Sequence, residues 1–558
     1  MKQTIEKAIT GVLQELEVAN VPFTVEHPAD IAHGDYASNV ALIAAKQLGK
    51  NPREVAEEIV AKLEGFEVSI AGPGFINFNL PRDFFAQKVS ESVEQKEQWG
   101  THDALTGKTY FVEYTDPNPF KEFHIGHLFT NSVGESLSRL VQFAGADTKR
   151  LCYQGDVGMH VANAVWGMQQ MSLTPESSFT ARDLGKAYAL GATAYKGEDE
   201  VVKTAIKALN KKIYERTDEE VNALYDKGRE VSLAYFQTIY EMVGTDFDDY
   251  FFESEAGPKG KELVLDHPDT FVDGDGAKVF KGEEYGLHTR VFLNSEGLPT
   301  YEAKELALAK MKEDRLGASD HSIISTANEI TEYFKVLKKA MSFVYPELEA
   351  KTEHIGHGTV RLTTGKMSSR TGDVIAAIDF VEEITDTAQA RIKEATPELG
   401  EDRQLAQQIA LGAIKYATLK GNILQDTVFD KEEALSFEGA SGPYLQYTHA
   451  RICSVLKKAA EAGVTPAAEV LPGQPYTIER LLYRFQEVAR EAVEDRAPHK
   501  VAQYLTELAG AFNTFYAQEK IADATDSNAS YKALVAQSVA QTLKNGLWLL
   551  GIEAPERM

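Results

Sequence analysis

Two histidines three residues apart, His124 and His127, enclose Ile125 and Gly126 at a point where a helix should begin. An imidazole N–H donates hydrogen bonds, and a helix start adds free backbone N–H groups and a positive dipole end, so together they suit a phosphate cradle. Gly126 removes a side chain that would hold a ligand away from the backbone. Spacing alone does not decide, because such pairs also occur on surfaces and as satisfied core residues. The chain carries its own control: the same four residues recur as His354-Ile355-Gly356-His357. The residues behind that copy, Gly358-Thr359-Val360-Arg361-Leu362, are extended in character with no helical period, which predicts a strand there and excludes a helix start.

The second copy leads into Gly365-Lys366-Met367-Ser368-Ser369-Arg370-Thr371-Gly372, a glycine-bounded polar loop that by itself reads as a solvated turn. With the first copy, in this order and a domain's length apart, it resembles the HIGH and KMSKS signatures of class I aminoacyl-tRNA synthetases. Arginine stands where the second lysine is usual. The resemblance implies ATP binding by His124, Gly126, His127, Lys366, Met367, Ser368 and Ser369, and phosphate stabilisation by His124, His127, Lys366 and Arg370, with Mg²⁺ accompanying ATP. Lys121 matches a lysine of the family that supports a weakened KMSKS loop.

The elements that must position these groups can be read around them. Residues 109–115 are aromatic and β-branched, as a buried strand requires, and Asp116-Pro117-Asn118-Pro119 must end it because proline cannot donate to a ladder. From Leu128, Val133, Leu137, Leu140, Val141 and Ala144 recur at helical spacing, and Gly145 is a stop. Residues 149–158 read as a second strand ending in Gly155-Asp156-Val157-Gly158, which completes a βαβ unit and brings both loops to one crevice. Residues 165–285 are charged and read as a helical connective insertion. The sheet is expected to resume with residues 275–280, 289–293 and 297–305, and the chain is helical beyond about residue 400.

Further motifs resemble the arginyl-tRNA synthetases specifically. Their members hold a guanidinium group with a glutamate after a D-x-Y motif and with a tyrosine and an aspartate four apart. Here Asp248-Asp249-Tyr250 precedes Glu253, and Tyr301 lies four residues before Glu305. Two carboxylates and a phenol suit a planar five-donor cation. Glu305 replaces the family's aspartate, and Asp320-His321 stands where the family has Asp-Gln, so His321 is expected to bond the substrate. Glu113 and Asn118 would hold its amino-acid end. The stretches His33–Asn39 and Ala71–Phe78 resemble the family's N-terminal tRNA-elbow module, which implies that Phe75 and Asn77 meet a D-loop base by stacking and an amide contact. Residues 439–451 resemble the opening of its anticodon-binding bundle, with Tyr447 and Arg451 clamping a base and Met558 at the anticodon. Without the resemblance Phe75 and Asn77 would read as core and turn residues, and Tyr447 and Arg451 as an aromatic core stripe with an exposed arginine.

Composition is compatible. The 558 residues allow three or four domains, and 43% hydrophobic with 25% charged residues is ordinary for a globular chain. No stretch of eighteen apolar residues exists, and two cysteines cannot build a disulfide framework or a cysteine-rich zinc site. A net charge of −26 argues against a generic nucleic-acid binder but allows an RNA partner on local basic patches. The reading is a multidomain α/β plus α protein: an N-terminal α+β module over residues 1–100, a Rossmann-type parallel-sheet catalytic domain over 107–390 with the helical insertion, and an all-α anticodon-binding bundle over 400–558. The expected function is a ligase that joins L-arginine to ATP and passes it to tRNA(Arg), as a cytoplasmic monomer with no membrane partner and no metal site of its own. A cysteine-charging relative, a small-molecule nucleotidyltransferase and a non-catalytic RNA-binding paralogue are the alternatives. The first needs more thiols, the second has no use for the end modules, and the intact HIGH, Lys366 and carboxylates oppose the third.

Overall fold

Strand β1 (Thr109–Glu113), built from the expected aromatic and β-branched residues, is the middle strand of a five-stranded parallel sheet in the computed structural model, which describes residues 1–18, 20–363 and 375–558. Lys366, Met367, Ser368, Ser369 and Arg370 lie outside the described residues. The two-proline turn leads from β1 into helix α1 (Ile125–Phe143), which ends at Ala144 before Gly145 at φ 93°. Strand β2 (Asp147–Gln154) then pairs with β1 in parallel, from Thr109 opposite Asp147 to Glu113 opposite Leu151.

The helical run that follows comprises α2 (Met159–Gln170), α3 (Ala181–Lys196), α4 (Glu200–Glu215) and α5 (Glu219–Val243), around a core that includes Val161, Met168, Leu184, Ile206 and Leu224. The helical expectation over 165–285 holds to Val243 and again over Glu253–Asp266, but not over the strands between and after them. Aromatic residues then return the chain to the sheet: β3 (Asp249–Phe252) pairs with β2 in parallel, with Phe251 buried.

The expectation that residues 275–280, 289–293 and 297–305 resume this sheet is wrong: the last of these runs into a helix that begins at Tyr301, and the first two do not join it. They form a separate antiparallel sheet of β4 (Val272–Gly274), β5 (Ala277–Phe280) and β6 (Arg290–Leu293), ordered β6-β5-β4. Asp275 and Gly276 join β4 to β5 with φ values of 49° and 80°, a two-residue hairpin turn, whereas a parallel neighbour needs a crossover of a dozen residues or more. The parallel sheet resumes only after helices α6 (Glu253–Asp266) and α7 (Tyr301–Leu316), with β7 (His321–Ala327), helix α8 (Thr331–Val344) and β8 (Thr352–His357). The final order is β8-β7-β1-β2-β3. Strand addition reverses direction between β1 and β7, and the crevice at the carboxyl ends there is where such sheets bind ligands. Beyond β8, β9 (Val360–Leu362) pairs in parallel with β10 (Thr427–Phe429).

These elements belong to a compact unit of residues 101–451, 489–506 and 546–558; residues 1–100, 452–488 and 507–545 form a second unit. In the second, an antiparallel sheet places Phe75–Asn79 between Tyr36–Ser38 and Glu67–Ala71, and helices Lys2–Glu15, Val40–Leu48 and Pro52–Val60 contribute Ile5, Ile9, Ala44, Val55 and Ile59 to its core. Asn51 caps Pro52–Val60 through Arg53 N–H, as its position before proline predicts. Asp35 and Tyr36 have structural partners: the Asp35 carboxylate accepts from Leu80 N–H and pairs with Arg480, and the Tyr36 hydroxyl donates to Glu487 at 2.6 Å. No helix among the described residues is long and apolar enough to cross a membrane.

Candidate active site

The first histidine pair caps its own helix. His124 is the N-cap of α1, His127 N–H donates to His124 Nδ1 at 3.4 Å, and His124 N–H donates to His127 Nδ1 at 3.2 Å. Both Nδ1 atoms act as acceptors, so each neutral ring carries its proton on Nε2, away from the cap. The rings stack at 3.6 Å between centroids. Burial pushes His124 down to about 4 and His127 well below the usual imidazole range, with Lys121 adding to both shifts. Near neutrality the pair therefore offers two uncharged Nε2–H donors at a helix N-terminus. Gly126 has a further reason to lack a side chain: a Cβ there would lie 2.9 Å from the His124 ring.

The chain emerging from residues 364–374 is tied to the same place. Ile125 N–H donates to the Ile375 carbonyl at 3.2 Å, and Ala377 N–H donates to the Phe123 carbonyl at 2.8 Å. Lys121 lies 4.6 Å from the centroid of Tyr188 on α3, and burial lowers its pKa.

Between β1 and α1 the backbone is strained, with positive φ at Thr115 (80°), Asp116 (44°) and Phe120 (66°). Hydrogen bonds impose it: Tyr153 N–H to the Asp116 carboxylate at 2.7 Å, Asn131 to the Thr115 hydroxyl at 3.1 Å, and Phe120 N–H to the Ser232 hydroxyl at 2.9 Å. This loop delivers Asn118 to Gly155, where a Cβ would meet Asn118 Oδ1 at 2.3 Å and Glu253 Oε1 at 3.1 Å. Asn118, Glu253 and the Gly-Asp-x-Gly loop thus converge. Asp156 in that loop accepts from Arg229 Nε, Ser254 N–H and the Ser254 hydroxyl, and so fixes the first turn of α6, which carries Glu253.

The crevice holds more acid than base. Glu113 pairs with Lys312 at 2.5 Å, and Glu253 pairs with Lys304 at 2.6 Å, all four being buried. Asp116 and Glu305 have no ion pair of their own among the described residues. Burial pushes both carboxyls well above the usual range, and Glu113 raises each further. Tyr301, four residues before Glu305 on α7, is 56% exposed beside the pocket. Two hydroxyls that sequence reasoning missed, those of Tyr153 and Tyr333, are buried without hydrogen-bond partners among the described residues, and the charges of Glu305 and Glu253 act on both. No local motif marks them; only the pairing of β2 with β1 and the packing of α8 bring them here.

His321 is not brought to the site. It lies opposite Tyr110 at the start of β7, three register steps before Ile324 comes level with Glu113, and its Nε2 bonds Glu353 at 2.7 Å. Parallel strands gather ligands at their carboxyl ends, and β7 reaches that edge with Ala327 and the turn Asn328–Ile330. Matching Asp320-His321 to an Asp-Gln pair ignored which end of the strand it occupies. Elsewhere, Phe75 is 38% exposed, whereas Asn77 on the same strand face is buried. Tyr447 is 41% exposed near Phe437, and the neighbouring Gln446 amide holds the tail through the Glu553 carbonyl at 2.9 Å. Arg451 follows one turn later on the same helix, and Met558 ends the tail. Among the described residues no three histidine, cysteine or acidic side chains cluster as a metal site.

Family models match the whole of this arrangement: the catalytic domain of class I (R) tRNA synthetases over residues 88–431, the DALR anticodon binding domain over 445–558, and the arginyl tRNA synthetase N-terminal domain over 1–80. The arginine–tRNA ligase of Clostridium perfringens is 30% identical over 98% of this chain and 97% of its own. The chain belongs to the arginyl-tRNA synthetases. A similarly named ligase of Clostridium acetobutylicum is 29% identical over the full length of both chains. Among solved structures, the Thermus thermophilus arginyl-tRNA synthetase superposes with a TM-score of 0.81 at 27% identity over all of both chains. The Plasmodium falciparum enzyme reaches the same TM-score at 20% identity over 100% and 99% of the chains, a likeness of fold.

Proposed function

We propose that the chain activates L-arginine with ATP to arginyl-adenylate and transfers the arginyl group to the 3′-terminal adenosine of tRNA(Arg), releasing pyrophosphate and then AMP. The observation that carries this reading is the adjacency of two sites in one crevice: neutral donors at a helix start, suited to phosphate, and half-buried carboxyls without counter-ions among the described residues, suited to a substrate with two positive charges.

Activation is an in-line displacement. A carboxylate oxygen of arginine attacks the α-phosphorus of ATP, and the bond to the bridging oxygen of pyrophosphate breaks. The nucleophile is already ionised, so the barrier is one of positioning and charge stabilisation. His124 and His127 donate their Nε2 protons as hydrogen bonds to phosphate oxygens without transferring them. Lys121, Lys366 and Arg370 supply positive charge, and Gly126, Met367, Ser368 and Ser369 complete the ATP contacts. Mg²⁺ enters as the counter-ion of ATP. Glu113 and Asn118 hold the amino-acid end of arginine, and Tyr301, Glu253 and Glu305 form the side-chain pocket. Phe75 and Asn77 face the tRNA elbow, with Phe75 as the stacking surface; Tyr447, Arg451 and Met558 face the anticodon. We place the protein in the cytoplasm as a monomer, which sedimentation at micromolar concentration tests.

The deciding experiment is charging of total tRNA with each amino acid in turn. Arginine alone should be attached, and lysine should be refused, because an ammonium group lacks the forked donors of guanidinium. Attachment of any other amino acid in preference to arginine overturns the reading.

A further inference from the structure

We infer that Arg480 and Glu487 are positioning residues for tRNA: they grip Asp35 and Tyr36, which border the strand Phe75–Asn79, and so hold the Phe75 ring in one place for the elbow base. This rests on the elbow reading given above.

The stretch His33–Asn39 carries two polar groups that the elbow reading does not use, and both are turned inward. Asp35 is 1% exposed and Tyr36 is wholly buried. Their partners stand 445 and 451 residues further along the chain, within the same compact unit. Arg480 donates to the Asp35 carboxylate, and the Tyr36 hydroxyl donates to Glu487 Oε1 at 2.6 Å. His27 Nε2 meets Glu487 Oε2 at 3.0 Å, and Tyr483 stands in the core of the N-terminal module with its ring 6.0 Å from that of Tyr36. Burial alone would raise the Glu487 carboxyl, but the bonds from His27 and Tyr36 outweigh it and hold the group down at about 2, so Glu487 is an anion at working pH.

The grip passes directly to the strand that carries Phe75. Asp35 N–H donates to the Phe78 carbonyl at 2.8 Å, the Asp35 carboxylate accepts from Leu80 N–H at 2.8 Å, and Tyr36 pairs with Phe78. Gly34, at φ 87°, runs so close to that strand that a Cβ would lie 2.7 Å from the Phe78 carbonyl oxygen. Phe75 is at the other end of the same five-residue strand. The helix that follows, Arg82–Gln95, is tied to the same region: Arg82 donates to Glu479 at 2.9 Å, and the Ser92 and Ser538 hydroxyls bond at 2.5 Å. Apolar packing would keep the module attached yet let it slide, whereas directed bonds between buried charges fix one register at a cost in desolvation. A stacking ring gives most affinity when it is already held where the base arrives, because ordering it on binding consumes part of the gain.

The tRNA KM for charging, measured at saturating arginine and ATP, tests this. Phe75→Ala should raise it about tenfold, the worth of one base stacked on an aromatic ring. Arg480→Met and Glu487→Leu should each raise it about five- to tenfold, with kcat, arginine KM and ATP KM within about twofold of the wild type. Adding Phe75→Ala to either should raise it by less than about twofold more, since a ring no longer held in place has little left to lose. A merely structural loss would instead add to that of Phe75→Ala, or would fall on kcat and on the arginine and ATP KM as well; either result overturns the inference. Should Glu487→Leu unfold the module, Glu487→Gln keeps an oxygen for Tyr36, loses the charge, and should raise tRNA KM about threefold. Ser92→Cys with Ser538→Cys places a covalent tether across the same contact. In the Glu487→Leu background the oxidised protein should recover tRNA KM to within about threefold of the wild type and the reduced protein should not. Oxidation without recovery overturns the inference. If Phe75→Ala alone leaves tRNA KM unchanged in a protein that charges arginine, the elbow reading falls and takes this inference with it; if Phe75→Ala raises tRNA KM while Arg480→Met and Glu487→Leu do not, only this inference falls.

Discussion

The two copies of His-Ile-Gly-His share every atom of their side chains and do opposite things. In the first, the chain turns from strand into helix, both Nδ1 atoms are consumed as acceptors in the cap of α1, and the Nε2 protons take no part in it. In the second, the same residues lie within β8. His354 Nε2 lies 2.8 Å from the Thr326 hydroxyl and its ring stacks on Phe334 at 3.9 Å. His357 is buried, and its Nδ1 donates to the Gly358 carbonyl, so its proton sits on Nδ1 and Nε2 faces the Thr130 hydroxyl on α1 at 3.1 Å. Opposite tautomers thus follow from one sequence. The backbone, not the residue type, decides which nitrogen is left for chemistry, and the second copy buttresses the helix that the first copy opens.

The largest test of this contrast removes one ring from each copy. His127→Ala should lower charging by on the order of a hundredfold or more, since losing a donor aimed at developing charge costs about 3 kcal/mol. His357→Ala should lower it no more than severalfold and instead shift the denaturant midpoint of the catalytic unit downward, by an amount equivalent to roughly 1–3 kcal/mol, because Thr130 loses a buried partner. Equal catalytic losses in two folded variants would show that the copies are not functionally distinct.

A smaller contrast lies at the two glycines. Among the described residues, a Cβ at Gly126 would press only on the His124 ring, a movable side chain of the first pair. A Cβ at Gly356 would come within 2.3 Å of the Thr331 hydroxyl and 3.3 Å of the Asn328 backbone. Gly126→Ala should therefore raise ATP KM or lower kcat by about tenfold with little change in melting temperature, as expected when a positioned donor is tilted out of line. Gly356→Ala should do the reverse, lowering the melting temperature with little kinetic effect. A thermal loss in the first and a kinetic loss in the second would invert the assignment.

What the sequence showed of all this depended on how local the signal was. The proline turn, the period of α1 and the glycine after it are contiguous, so strand, turn and helix were legible to within a few residues. Strand partners are not local: Tyr250-Phe251-Phe252 looked like part of a helical insertion, and residues 275–293 like a continuation of the sheet, until the Asp275-Gly276 hairpin made the latter antiparallel. His321 failed for a related reason, since a motif does not say at which end of a parallel strand a residue will stand. Tyr153, Tyr333 and Lys304 carry no pattern, because their meaning lies in what else is buried beside them. Glu253 was singled out by its motif, yet its pairing with Lys304 is a matter of rotamers and burial that spacing does not encode.

The smallest expected effect is on pH dependence, and it separates the copies once more. Burial holds His124 and His354 at about 4, His127 well below the usual range and His357 below it, so all four are predominantly neutral between pH 7 and 8. The profile of kcat/KM for ATP should show no inflection from these rings in that window. Unfolded imidazoles protonate near 6.5, so between about 6.5 and 4 the unfolded chain binds more protons than the folded one, and stability falls as the pH falls through that range. Both copies contribute to this loss, whereas only the first has a catalytic consequence: a proton on His124 Nδ1 turns the acceptor of the cap into a donor and breaks it. His354→Asn, which removes a titrating ring but can still bond Thr326, should therefore flatten the acid limb of the stability curve and leave the pH–rate profile as it was. If the variant instead moves the acid limb of kcat/KM, the second copy takes part in the chemistry and the contrast drawn from its tautomer is mistaken.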